Sequence, residues 1–459
     1  MTDAMQFFPL PDDCNIFYLS YVKDMLARQF GIDEGFRIYR EQLSPAKSMN
    51  RARPQRIEAR RVAEIREAAR AEAEFFSEVH PSGETFAIAP PHVVGEGDRH
   101  PLAGTARSSY VACLRNVRIH GRSTVLGLDT GPALDYERFE LRETKDRWNV
   151  DHYIFHAEHD VARWIAFDQP IVEIDEAFGS LLGTSSTSWG HWLGDYVPKF
   201  VLAVHSGQLP HVPVLIDAGL PQTHRQALEL IMPEGTEIIE ISPEWEVRVR
   251  RLWYAPSLGY APLLPHFNPT FFWDKFCTVP ARWTPILAAM GRAADSLPQI
   301  EGPGERIYLS RKPYRWTKLL NGDAIESIAR SRGFAILYPE DYPLPELARY
   351  VRNASFVIGP VGSQMVNAYF AKPGTRVCYL THPFLMGAWP YPLRAAGVDV
   401  TMFIGPATNV NDAPEPPTFG YPHHADYQVD PVCFTGFLDE WLAGEVPPSS
   451  MTAGADSCP

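Results

Sequence analysis

Three places in this chain put chemically active residue types beside the predicted ends of strands or helices. Ser310-Arg311-Lys312 follows a β-rich run, Arg306-Ile-Tyr-Leu309. Gly359-Pro-Val-Gly362-Ser363 follows the apolar run Phe356-Val-Ile358 and precedes a helical pattern that reaches about Phe370. The first supplies cations. The second supplies small residues that let backbone N–H groups approach a ligand at a helix start, and together they suit a phosphate or diphosphate. The third place is Trp189-Gly-His191-Trp-Leu-Gly-Asp195-Tyr-Val-Pro198, after a loop rich in glycine and serine, Gly183 to Ser188. His191 and Asp195 are four apart and share a helix face, so this turn can present a general base at a cleft. Two metal ligands would also fit that spacing, but no third or fourth accompanies them. On spacing alone, a capped helix with a buried, hydrogen-bonded histidine is the plainer reading.

The elements that must position these residues follow from periodicity and punctuation. A helix is expected from about Asn321 to Arg332, with Ile325, Ile328 and Ala329 on one face and Gly333 as its stop. A strand at Phe334–Leu337, a helix from about Pro345 to Arg352, the strand at Phe356, a third helix, and a strand from Arg376 to Leu380 come next. This alternation predicts a parallel sheet with helices on its faces and ligands at the carboxyl ends of its strands. Upstream, Val212–Ile216, Gln222–Ile231 and Glu237–Ile241 repeat the pattern, after a β-rich stretch of short strands from about Tyr110 to Ile174. Val247 to Trp273 is aromatic and Pro-rich and reads as a cleft lining or crossover. A helix from about Trp283 to Ala294 leads to the Pro-Gly-Glu loop Pro298–Gly304, a natural domain boundary. His382 sits at one further strand end, Val398–Gly405 makes another strand, and Asp430–Leu442 is a closing apolar helix. The expected organisation is an N-terminal extension (1–104), an α/β domain (105–297), a second α/β domain (298–429), a helix crossing back (430–446) and a small, polar, disordered tail (447–459).

Composition narrows the classes. With 459 residues the chain exceeds one ordinary core. A formal net charge of −13 argues against a general nucleic-acid binder, which needs a broad basic surface. The 6 cysteines are dispersed and show no C-x-x-C spacing, so free thiols in a reducing compartment are expected. No stretch approaches the roughly 20 apolar residues of a membrane span, and the N-terminus lacks a secretory pattern; a cytoplasmic location is the expectation. Arg56 to Phe76 reads as an amphipathic helix with an apolar stripe of Val62, Ile65, Ala69, Ala73 and Phe76. Its arginines would serve any peripheral contact with a membrane, but interspersed glutamates make a solvated helix docked on a domain the plainer reading. His423-His424 lacks partner spacing for a metal.

These motifs resemble glycosyltransferase family 61. The His191…Asp195-Tyr-Val-Pro198 segment is similar to that family's His-rich, Asp-Xaa-Leu-Pro helix, and Leu309-Ser310-Arg311-Lys312 to its Ser-Arg-Arg/Lys strand end. Asn321 falls where an Asn-Glu pair begins in the family, and Gly333-Phe334 where a Gly-Phe follows. Gly359-Pro-Val-Gly362-Ser363…Asn367…Phe370…Pro373-Gly-Thr375 resembles its Gly-Pro-His-Gly-Ala…Asn…Phe…Pro-Gly-Thr block. Val361 stands where many members have His, and Gly322 where the acidic residue usually stands. The resemblance covers roughly residues 105 to 442. It implies a GT-B architecture, two Rossmann-like domains facing across a cleft, and inverting transfer from a nucleotide-sugar donor to a glycan or glycolipid acceptor with no obligatory metal or other cofactor. Bacterial surface polysaccharide synthesis is the setting that it suggests.

On this reading Ser310, Arg311, Lys312, Lys318, Asn321, Gly359, Gly362, Ser363, Asn367 and His382 would bind the donor, and His191 and Asp195 would supply the base and its orienter. A non-catalytic sugar-nucleotide or glycan-binding protein, or a scaffold in a polysaccharide-assembly complex, is the alternative. A kinase or phosphatase is disfavoured by the lack of a Walker-type loop or nucleophilic Cys or Asp motif.

Overall fold

A computed structural model describes residues 16–43, 53–61, 65–95, 102–106, 108–129, 131–134, 151, 153–158, 161–168, 170–258, 279–312, 317–383, 390–408 and 425–444. Among these, the protein is a mixed α/β structure built on two large sheets, with a three-stranded and a two-stranded sheet beside them.

The sheet that carries the Arg311 region is parallel throughout. Its spatial order is Ala335–Leu337, Arg306–Leu309, Phe356–Pro360, Arg376–Thr381, Asp399–Ile404 and His92–Val94. Buried aliphatic runs such as Val357-Ile358 and Val377 to Leu380 form these strands because helices cover both faces. The helices Gly322–Ser331, Leu344–Asn353 and Pro431–Ala443 lie close to the expected spans. The last one buries Phe434, Phe437, Leu438 and Trp441. Each such side chain contributes about 1.5–3 kcal/mol on burial, so this helix is a fixed part of the core. From Arg306–Leu309 the chain goes first to Ala335–Leu337 on one side, then back to Phe356–Pro360 on the other. The strand order therefore reverses between the strands ending at Leu309 and at Pro360, where open α/β sheets leave a ligand crevice.

The eight-stranded sheet is mixed. Ile171–Phe178, Val214–Asp217, Ile238–Ile241 and Glu246–Tyr254 are parallel, while Ser109–His120 and the strands beyond it run antiparallel. Here the order reverses between Ile171–Phe178 and Glu246–Tyr254. The loop leading to His191 leaves from that reversal: Gly179 N–H donates to the Trp253 carbonyl at 3.0 Å, and Ala255 N–H to the Ser180 hydroxyl at 2.8 Å.

Three sequence expectations change. The segment expected as one helix from Arg56 to Phe76 is a strand, Arg53–Arg61, a short helix, Ile65–Glu72, and a second strand, Ala73–His80. Arg56, Glu58 and Arg60 alternate on one strand face, where Arg56–Glu58 (2.8 Å) and Arg60–Glu58 (2.7 Å) ion pairs join them. Val247 to Trp273 opens with the central strand Glu246–Tyr254 rather than a cleft lining; 259–278 lie outside the described residues. The N-terminal residues are woven into both large sheets, because Ala73–His80 pairs with Ser109–His120 and His92–Val94 pairs with Asp399–Ile404. His423-His424 and the tail after Gly444 lie outside the described residues.

Candidate functional site

The candidate anion cradle forms at the strand reversal of the parallel sheet. Arg311 leaves the end of Arg306–Leu309, and its Nη1 donates to the Val361 carbonyl oxygen at 3.3 Å. Val361 follows the neighbouring strand Phe356–Pro360, and its N–H donates to Leu380 O at 2.7 Å. Gly362 brings the chain close to the guanidinium: a Cβ there would lie 2.8 Å from Arg311 Nη1 and beside Gln364 Oε1, the mobile ends of two long side chains. Gly359 is the confined one, since a Cβ would meet the backbone oxygen of Leu309 and come within 2.7 Å of Met365 Sδ. Ser363 then opens the 3₁₀ helix Ser363–Phe370, whose first N–H groups have no partner within the helix. A guanidinium and a helix N-terminus thus converge at one point, an arrangement that suits an anion.

The other expected donor-side residues divide by what they touch. Lys312, on the surface, pairs with Asp341, whose carboxylate raises its pKa. Ser310 Oγ donates to the buried Glu326 at 2.5 Å, and Tyr338 OH approaches the same carboxylate at 3.3 Å. Lys318 is exposed, with its N–H bonded to Asp426 Oδ1 at 2.7 Å. Asn321 holds Val429 from both ends of its amide: Nδ2 donates to Val429 O at 2.6 Å, and Oδ1 accepts from Val429 N at 3.2 Å. Asn367 is 1% exposed; its Nδ2 donates to Gln364 O at 2.8 Å, and its Oδ1 has no hydrogen-bond partner among the described residues. His382 is fully buried with its ring 5.6 Å from that of Tyr427. Tyr427 in turn donates to Leu380 O at 2.7 Å. Burial pushes the Tyr427 phenol well up, against the opposing pull of the Val361 backbone and the Arg311 charge. Arg311, Val361, Tyr427 and His382 therefore form one cluster.

His191 and Asp195 come together as their spacing requires. Trp189–His191 is α-helical, Trp192–Tyr196 is a π-helical turn, and Val197–His205 resumes the α-helix. Pro198 has no N–H to continue the regular ladder, and Val197 N–H reaches back to Trp192 O instead. His191 Nδ1 lies 2.6 Å from Asp195 Oδ2. A carboxylate can only accept here, so Nδ1 carries the proton and Nε2 is the basic nitrogen. Burial acts to lower the His191 pKa, but the hydrogen bond and charge of Asp195 outweigh it and the net shift is upward.

Buried residues that sequence reasoning passed over hold this turn. Asp217, at the end of Val214–Asp217, accepts from Arg122 N–H at 2.5 Å and Gly183 N–H at 3.0 Å. Arg122 also donates to Ala218 O at 2.8 Å. Burial raises the Asp217 pKa, while Arg122 and Ser186 oppose that shift. Tyr196 OH accepts from Ser185 N–H at 3.3 Å, and Gly183 has no room for a Cβ beside the Tyr196 ring. The signal available was an acidic residue ending a strand, but its partners lie far away in sequence. Among the described residues no group of three or more His, Cys, Asp or Glu side chains could hold a metal ion.

The two halves meet on one element. The Trp189–His191 turn packs on the Ser363–Phe370 helix, which begins at the cradle. The Asp195 charge acts on Tyr369 of that helix, whose phenol is raised mainly by burial. Residues 189–378 match the family described as Glycosyltransferase 61, a span that runs from the His191 turn through the cradle. No curated protein matches the chain.

Proposed function

We propose that this chain, whose residues 189–378 match glycosyltransferase family 61, transfers a sugar from a nucleotide-sugar donor to a glycan or glycolipid hydroxyl with inversion. The family match supports glycosyl transfer; the donor class, the stereochemistry and the residue roles are our reading. The observation that carries it is the Arg311–Val361–Gly362 contact at the head of the helix against which the His191 turn packs.

The anomeric carbon–oxygen bond to the diphosphate breaks as the acceptor oxygen attacks from the opposite face. Negative charge grows on the leaving diphosphate, where Arg311 and the N–H groups of Gly362 and Ser363 stabilise it. His191 Nε2 takes the acceptor proton, and Asp195 stabilises the imidazolium that results. Lys318, exposed nearby in the chain, is a further candidate for the diphosphate, while Lys312 would first have to leave Asp341. Two Rossmann-like halves in a GT-B arrangement, and a role in surface polysaccharide synthesis, complete the proposal; the strand reversal in each large sheet supports the former.

The test is kinetic. With UDP-, GDP-, CMP- and dTDP-sugars screened by thermal shift to find the donor, His191→Ala, Asp195→Asn and Arg311→Ala should each lose transfer while still folding. Near wild-type turnover in both His191→Ala and Asp195→Asn would sink the base assignment. Donor binding without turnover or hydrolysis in the wild type would favour a binding protein instead.

A further inference from the structure

Two adjoining cavities lie away from the site described above, and the same arginines line both. One, of about 210 Å³, sits where Arg53–Arg61 and its neighbour Val161–Asp168 meet Ser109–His120 and Glu246–Tyr254 of the eight-stranded sheet; Arg56, Arg60, Arg118 and Arg248 line it with Trp164 and His120, and so do the carboxylates of Glu58 and Glu246. The other, of about 360 Å³, shares Arg60, Arg118 and Arg248 and adds Asp129. A chain of net charge −13 thus gathers several cations in one place.

The gathering works against stability. Arg118 and Arg248 stand directly opposite each other on antiparallel strands, where like charges repel. Arg60 shares Glu58 with Arg56, and Arg248 pairs with Glu246 at 3.1 Å. Arg118 has no carboxylate partner among the described residues. Two of the guanidiniums share one aromatic neighbour: those of Arg60 and Arg118 lie 5.9 and 5.8 Å from the centre of the Trp164 ring, within reach of a cation–π contact. Trp164 is only 5% exposed, so this ring is a fixed platform. The planar guanidinium forks match the oxygens of a carboxylate or phosphate. His120, 2% exposed, stacks on Tyr153 with ring centres 3.8 Å apart. Burial pushes its pKa down to about 3, so it adds a neutral polar edge rather than another cation.

We propose that Arg60, Arg118 and Arg248 around Trp164 form a second ligand site, for a carboxylate- or phosphate-bearing group. It lies apart from the transfer site. Arg248 is near the start of Glu246–Tyr254, whose other end borders the loop to His191. At ~3.4 Å per residue, that is roughly 20 Å along the strand. The proposal does not rest on the transferase reading.

The test uses the full chain carrying Arg311→Ala, so that the cradle does not report. Inorganic phosphate, glucuronate and neutral glucose are titrated by calorimetry. Phosphate or glucuronate should bind and glucose should not; binding should weaken as salt rises. Glucuronate alone binding points to an acidic sugar, and both anions binding to oxyanions in general. Adding Arg118→Gln or Arg248→Gln should weaken binding at least tenfold. Without anion, Arg118→Gln should keep or raise Tm, because the cross-strand repulsion is relieved, and the anion-induced rise in Tm should vanish. The proposal is overturned if neither anion binds, if glucose binds equally, or if Arg118→Gln lowers Tm while the anion response survives, the mark of a purely structural cluster.

Discussion

His191 Nδ1 and Asp195 Oδ2 are 2.6 Å apart across a π-helical turn, with side-chain exposures of 31% and 18%. The pair is therefore shielded yet reachable, and the carboxylate fixes which imidazole nitrogen can accept a proton.

The pH dependence follows from this pair. Burial lowers the His191 pKa and Asp195 more than restores it, so the folded value lies above the usual 6.5. A base must be neutral to act, so kcat/KM should climb with pH through that raised value. In Asp195→Asn, burial acts without the opposing charge; the acid limb of the profile should move to lower pH and the plateau fall by on the order of 100-fold. Stability runs the other way. The contribution of the pair is fully present below the unfolded pKa of about 6.5 and is lost as pH rises through the folded value. Denaturant melts of wild type and His191→Gln at a series of pH values should converge at the alkaline end.

Arg311→Ala should reduce kcat by on the order of 100-fold, the scale seen when one donor to a developing oxyanion is removed. Its Nη1 also donates to Val361 O at 3.3 Å, so a change in Tm has to be read beside the change in kcat. Steady-state kinetics with the identified donor, set beside a thermal melt, separates the two effects. A large drop in Tm with unchanged kcat would make Arg311 a structural residue.

Asn321→Ala should act on stability more than on rate. Its amide makes both hydrogen bonds to Val429, and losing them leaves Val429 N–H and C=O without those partners. The expected cost is about 1–3 kcal/mol in urea unfolding. A selective loss of donor affinity with unaltered unfolding would instead return Asn321 to the ligand.

Asp217→Ala removes the buried carboxylate that Arg122 and Gly183 N–H groups reach. Each buried N–H left without its acceptor costs about 1–3 kcal/mol. The variant should unfold early, and any folded fraction should have lost activity because the loop before His191 is no longer held. Circular dichroism with activity at low temperature checks both.

The sequence made the region from Arg306 to Thr381 readable because buried aliphatic runs alternate with Gly and Pro stops, a pattern that only a parallel sheet explains. His191 and Asp195 were readable for the same local reason, a spacing of four on one helix. The misread stretches share a cause. Arg56, Glu58 and Arg60 alternate with a period of two, as do Glu246, Arg248 and Arg250. Apolar residues spaced by threes and fours suggested a helix in the first case, and the aromatic and proline residues downstream hid a strand in the second. Long-range partners left no trace: Asn321 with Val429, Lys312 with Asp341, and Arg118 with Arg248 are each joined by folding and not by spacing.

The crossing of Ala73–His80 and His92–Val94 into separate sheets limits how the gene can be cut. A fragment starting after Thr105 would strip a neighbour from Ser109–His120 and leave Asp399–Ile404 as a bare outer strand. Both would offer open N–H and C=O rows to other molecules, and such a truncation should come out of expression as aggregate. The leading segment, which looks dispensable by its position, works as the stitch between the two halves.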